Sequence, residues 1–350
     1  MSLRNFFYIF VITVGFFFIL WIGKGLLIPL VVAIFLFYLI LILSDAIQRI
    51  GYGNFRIPAR LAIPTALLLI ILLAGFLANL ITENIRGVTE AAPLYEENLQ
   101  RVINNYAVDF GVEDVPTIRE LLGKLNFSGL FVSTGAALRD LVADAGLILI
   151  YLLFLMMERR TFSNKMEALL PESQNRERVV SAINQVRNKV ETYVGIKTIN
   201  SAVTGVLSYL VLKYVELDFA SFWGVIIFVL NFIPTIGSLI ATALPAILAG
   251  VQFEDPTRPF FTTLVGVGII QFSIGNVLEP RLMGGSLNLS PLVILLSLAL
   301  WGTLWGIPGM LLCVPFTVIA AIIAKEVPQA RPLAIVLSGD GQLDDGDLAG

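Results

Sequence analysis

Residues 219–253 read FASFWGVIIFVLNFIPTIGSLIATALPAILAGVQF, thirty-five consecutive positions without a charge. A single helix of that length would be about 50 Å long at a rise of about 1.5 Å per residue. The hydrocarbon core of a bilayer is only about 30 Å thick. The stretch is therefore greasy enough for a membrane and too long to cross it in one piece. It carries its own means of interruption. Pro234 removes a backbone donor, Gly237 tolerates a bend, and Pro245 repeats the interruption eleven residues later. Asn231 can reach carbonyls freed one turn away. Backbone freed at membrane depth is tolerated only where it is buried in protein or lines a wet cavity.

Outward from this stretch the pattern repeats. Uncharged runs also cover 5–23, 25–44, 61–82, 145–157, 198–212, 259–278 and 282–324, in a chain that is 57% hydrophobic and 14% charged. Globular chains carry about 25% charged residues. Several runs reach the roughly 17–25 residues of a spanning helix. All are too long and too uniformly apolar for a barrel strand of about ten alternating residues. The fold class expected is an all-α polytopic membrane protein. The last run has breaks of its own at Gly306, Pro308 and Gly309, in WGTLWGIPGMLLCVP. Paired Gly/Pro-interrupted apolar segments are the best sequence pointer to a transport site. The first two runs have no cleavage site between them and read as a retained hairpin turning at Gly23-Lys24-Gly25.

The charges outside the runs orient the chain. Loop 44–60 has Arg49, Arg56 and Arg60 against Asp45, and 158–197 has eight basic residues against five acidic ones. Region 82–144 has ten acidic against five basic. The positive-inside rule places the first two in the cytoplasm, with both termini, and the third outside. The organisation expected is N-terminal transmembrane helices over 1–81, an extracytoplasmic amphipathic region over 82–140 and a transmembrane helix at 141–157. A cytoplasmic amphipathic helix at 158–197, a transmembrane transport core over 198–325 and a partly disordered tail over 326–350 follow. The amphipathic stripes are Leu99, Val102, Ile103 and Tyr106; Ile118, Leu121, Leu122 and Leu125; and Val179, Ile183, Val186, Val190 and Val194. They read as caps on helix ends or as contacts with a neighbouring subunit.

One element inside the apolar C-terminal half is charged: residues 275–285, GNVLEPRLMGG. Pro280 disfavours helix at Glu279, so the stretch reads as a helix break ending in Gly284 and Gly285. Glu279 and Arg281 then either snorkel to water from an interfacial turn or line a path through the membrane. An ionisable group at membrane depth costs at least about 2.5–3.5 kcal/mol, so such groups usually face the interior and act. Gln271 and Asn276 add hydrogen-bonding groups just upstream. The candidate pathway residues are Asn231, Pro234, Gly237, Gln271, Asn276, Glu279 and Arg281. The candidate breaks are Pro234, Gly237, Pro245, Pro280, Gly284, Gly306, Pro308 and Gly309.

Several classes of chemistry lack their parts. The chain has no histidine and one cysteine, Cys313, which leaves no intrachain disulfide, no histidine-based metal site and no His-dependent triad. No GxxxxGK[ST] loop is present for nucleotide hydrolysis. The expectation is no catalysis, no cofactor, no metal and no nucleic-acid partner.

The motifs VLNFIPTIGSLIATALPAI, GNVLEPRLMGGSLNLSPLVILLSLALWGTLWGIPGMLLCVPFTVI and LLIPLVVAIFLFYLI resemble those of the autoinducer-2 exporter family of bacterial inner-membrane proteins. The similarity runs from about residue 20 to 340. It is greatest to the branch containing the exporter of the quorum-sensing signal, whose loop is likewise Asn, an apolar pair, Glu-Pro-Arg, an apolar pair and Gly, as in Asn276 to Gly284. This resemblance implies about eight membrane segments and export of a small polar signalling molecule. It implies an inner-membrane location and a homo-oligomer such as a pentamer. Sodium- or lithium-for-proton antiport is a second activity linked to the family, with H+ or Na+ as a partner. A non-transporting scaffold whose caps bind partners is the alternative outside that class.

Overall fold

The computed structural model describes residues 3–49, 58–109, 144–169, 174–284 and 287–342. Those residues form helices α1 (Leu3–Ile22), α2 (Lys24–Arg49), α3 (Ala59–Asp109), α4 (Ala145–Leu169), α5 (Gln174–Tyr214), α6 (Ala220–Leu230) and α7 (Ile236–Gln252). Then come α8 (Thr257–Ser273), a π-helical turn (Ile274–Leu278), α9 (Glu279–Met283), α10 (Pro291–Trp305), α11 (Ile307–Glu326) and α12 (Arg331–Leu337). Among the described residues the only β pairing is an isolated bridge between Leu289 and Ser338. The protein is thus an all-α polytopic membrane protein. The stripe at 118–125, the loop at 50–57 and the tail at 343–350 lie outside the described residues, as do the side chains of Val102, Ile103 and Tyr106.

Among the described residues, four helices are long and apolar enough to cross a bilayer: Lys24–Arg49, Glu177–Tyr214, Thr257–Met283 and Ile307–Glu326. Shorter apolar helices cover Phe10–Ile22, Leu61–Leu77, Ala220–Leu230, Ile236–Gln252 and Pro291–Trp305. The run at 219–253 breaks once, between Leu230 and Ile236, where Pro234 lies. At about 16 Å and 25 Å, α6 and α7 each fall short of the hydrocarbon thickness.

Two compact units divide the chain. One comprises residues 1–66, 143–195 and 285–350. In it α2 packs on α4, and α10 packs on α11. Buried Ile40, Leu41, Ile148 and Leu152 line the first pair, and Leu298, Leu312, Val314 and Val318 line the second. A polar clasp joins α10 to α11. The Thr317 hydroxyl donates to the Ser297 hydroxyl at 2.7 Å, and that of Ser297 donates to the Cys313 carbonyl at 3.1 Å. Small polar side chains bonding between helices are how membrane helices hold together without a hydrophobic driving force.

The expected N-terminal hairpin is not formed. The Gly23 N–H donates to Ile19 and the Leu27 N–H to Gly23, so the helical ladder continues on both sides of a single non-helical residue. α1 and α2 join end to end at Gly23 with no loop between them, and the Trp305 indole N–H donates to the Leu20 carbonyl beside that junction at 3.0 Å.

The second unit comprises residues 67–142 and 196–284. Its distal part is stitched by polar contacts. The Tyr95 hydroxyl donates to Asp218 at 2.7 Å, Asn98 donates to the Gln252 carbonyl, and the Gln252 side chain bridges the backbone of Glu216 and Asp218. Burial, and then the bond to Asp218, push the Tyr95 phenol well above its usual range. Phe219 seats its ring against Gly87 of α3, where any side chain would collide with it.

Candidate functional site

Two contacts fix how α5 meets α8 in the second unit. Near one end, the Lys197 ammonium donates to both oxygens of Glu279 at 2.7 and 2.9 Å. Near the other, Gly266 lies so close to Val211 that an added Cβ would sit 2.8 Å from its methyl carbon. The anchors are 14 residues apart on α5 and 13 apart along α8 and its extension, so the two run antiparallel over that length. α6 crosses α5 at a second close approach, where a Cβ on Gly205 would meet the Gly224 carbonyl at 2.7 Å.

Along α5, Lys197, Asn200, Ser201, Thr204 and Ser208 recur at helical spacing and are all buried. By angle around the helix, Lys197, Asn200, Thr204 and Ser208 share the stripe that carries Val211 toward α8. Ser201 sits to one side and accepts a hydrogen bond from the Asn231 amide at 3.1 Å. The buried stripe of α8 is Thr263, Val267 and Gln271. The register places Gln271 at the level between Thr204 and Ser208.

Several of these groups lack partners. Both polar atoms of the Asn200 amide, the Ser208 and Thr263 hydroxyls and the Gln271 amide nitrogen make no hydrogen bond among the described residues. An unmade hydrogen bond at a buried group costs roughly 1–3 kcal/mol. A row of them in an apolar helix packing is uncommon and makes this stripe the candidate polar surface of the second unit.

Glu279 reaches Lys197 through an unusual helix. Pro280 does not break the chain: residues 257–283 are helical throughout, and Glu279 itself has φ −59° and ψ −49°. The reason is the π turn. The Glu279 N–H reaches back five residues to the Ile274 carbonyl, and the widened turn absorbs both the missing donor and the ring of Pro280. The reading of 275–283 as a turn is therefore corrected, and Pro280 is not a break. Gly284, at φ 54°, is the true end of this helix. Pro245 is likewise inside a continuous α7.

Of the other candidate breaks, Pro234 and Gly306 stand between helices, whereas Gly237, Pro308 and Gly309 lie within the first turns of α7 and α11. Pro234 and Thr235 form the turn between α6 and α7, and Thr235 takes φ 60°, a strained value for a β-branched residue. Gly237 is buried so close to the Leu230 carbonyl that no Cβ fits. Gly306, at φ 63°, separates α10 from α11, and Pro308 lies in the first turn of α11. Gly309 meets the Trp301 carbonyl as Gly237 meets that of Leu230.

Residues 10–329 match the family described as the AI-2E family transporter. The chain belongs to the AI-2E transporter family. It is therefore a bacterial membrane transport protein, with a small solute to move and a lipid bilayer around it. This AI-2E transporter is 28% identical to the AI-2 transport protein TqsA of Escherichia coli (strain K12), over 89% of each chain. It is 32% identical to a candidate transport protein of Borreliella burgdorferi over 71% of its own length and 68% of that protein. A candidate transport protein of Haemophilus influenzae is 31% identical over 83% of this chain and 84% of its own.

In this AI-2E transporter the residues expected to form a pathway separate. Asn231, Gln271 and Glu279 lie in the second unit's interior or at its edge, whereas Asn276 and Arg281 are exposed. Arg281 is not the partner of Glu279. Sequence reading missed Lys197, Asn200, Thr204 and Ser208. Their signal is a polar residue at every turn of KTINSAVTGVLS, repeating with helical period in an apolar segment.

Proposed function

We propose that the protein exports a small, neutral, hydroxyl-rich solute of the autoinducer-2 kind from the cytoplasm, along the polar row between α5 and α8. The observation that carries this reading is the chemistry of the unpartnered groups. They comprise amide donors as well as oxygens. A bare cation satisfies only the oxygens, whereas a hydroxylated solute satisfies both. The relative named for AI-2 transport supports the choice of solute. The family name and the charge distribution support an inner-membrane location with residues 82–144 outside. Resemblance to the family supports a homo-oligomer such as a pentamer, which native mass spectrometry of the detergent-solubilised protein measures.

The test is release of autoinducer-2 from proteoliposomes, with and without a proton gradient. Wild type releases the solute. Gln271→Leu and Asn200→Leu, folded by circular dichroism, slow it by about tenfold or more, as loss of one buried hydrogen bond requires. Equal release by wild type and both variants removes the polar row from the path. Sodium-dependent proton movement without solute release assigns the protein to cation antiport instead.

A further inference from the structure

The ammonium of Lys197 binds both oxygens of Glu279 with side chains only 8% and 16% exposed. A carboxylate so placed between apolar helices needs a proton or a cation. Here the chain supplies the cation itself, from a helix 82 residues away in sequence. Lysine suits the task because its ammonium is a compact point charge with three donors. With one ammonium on both Glu279 oxygens, the Lys197 amine occupies the bidentate position that a diffusible cation would take. One turn along α5, buried Asn200 holds an amide oxygen with no hydrogen-bond partner among the described residues. That oxygen and the two of Glu279 belong to the set of hard ligands that a sodium ion takes.

We infer that Lys197 is a tethered monovalent cation that fills a cation site centred on Glu279, so that this chain binds no sodium or lithium there, and that removing the amine opens the site to sodium. The inference rests on the geometry of the pair and is independent of which solute is carried.

The test uses the purified full chain in nanodiscs and needs no transport. Binding of radioactive sodium is measured at equilibrium, and thermal unfolding is compared in sodium chloride and in N-methylglucamine chloride. The wild type shows no saturable sodium binding and the same unfolding temperature in both salts. Lys197→Ala, and Lys197→Met, which keeps the volume of the stem, gain saturable binding and unfold at a higher temperature in sodium. Lys197→Met combined with Glu279→Gln loses that binding. Single variants recovered folded in sodium but not in N-methylglucamine support the inference equally. Saturable binding by the wild type that the double variant abolishes overturns the inference. So do folded single variants that bind no sodium, because Glu279 then takes a proton, and so do single variants recovered in neither salt.

Discussion

At the scale of the residue, the Lys197–Glu279 pair is a liability when halved. Removing one member of a buried ion pair costs about 3–5 kcal/mol because the other is stranded, whereas replacing both by apolar groups is often near neutral. In sodium-free buffer, Lys197→Met is therefore expected to lower stability by about 3–5 kcal/mol, and Lys197→Met with Glu279→Leu to recover most of it. A double-mutant cycle of thermal unfolding in detergent reads this directly. Exposed Arg281 is the control, since Arg281→Gln should change stability by no more than about 0.5 kcal/mol. Glu279 was legible in the sequence because a carboxylate beside an apolar run stands out. Its partner was not. Lys197 closes a basic cytoplasmic segment, where it counts as one more positive charge, and nothing local points it toward a residue 82 positions on.

At the scale of the element, the two broken runs were legible because length alone forbids an unbroken helix. The prolines and glycines that end α6 and α10 are visible in any reading. The structure adds that Gly237 and Gly309 are required for close approach to the preceding helix rather than for flexibility. Gly237→Ala and Gly309→Ala are each expected to cost about 1–3 kcal/mol or more, the usual range for overpacking. Gly75→Ala, with open space around it, should stay within about 1 kcal/mol of wild type. The comparison is made by thermal unfolding. The π turn was not legible, because the rule that proline excludes helix before it assumes an α ladder. Pro280→Ala restores the N–H that an α turn needs. The expected outcome is a weaker coupling energy between positions 197 and 279, measured by repeating the cycle in that background, because Glu279 turns away as the π turn tightens.

At the scale of the whole molecule, composition and the long uncharged runs made the class legible and the quoted motifs the family, while the division of labour between helices was not legible. The charge pattern divides α5 between a cytoplasmic amphipathic helix and a separate short membrane segment, yet it is one helix of 41 residues. Uncharged length marks where a chain enters lipid, not where a helix begins. The proposed orientation makes its own prediction. Arg101→Cys in inverted membrane vesicles should resist a membrane-impermeant maleimide, and Arg187→Cys should react. In intact cells the pattern reverses, with little background because Cys313 is fully buried. The self-neutralised pair also has an electrical meaning. A neutral solute passing a lysine and a glutamate that cancel carries no net charge across the bilayer. The membrane voltage, worth about 2.3 kcal/mol per elementary charge per 100 mV, then does no work on the cycle. On the proposed reading, a neutral solute that moves past such a pair without an accompanying ion is silent to an electrode and follows its own concentrations on the two sides.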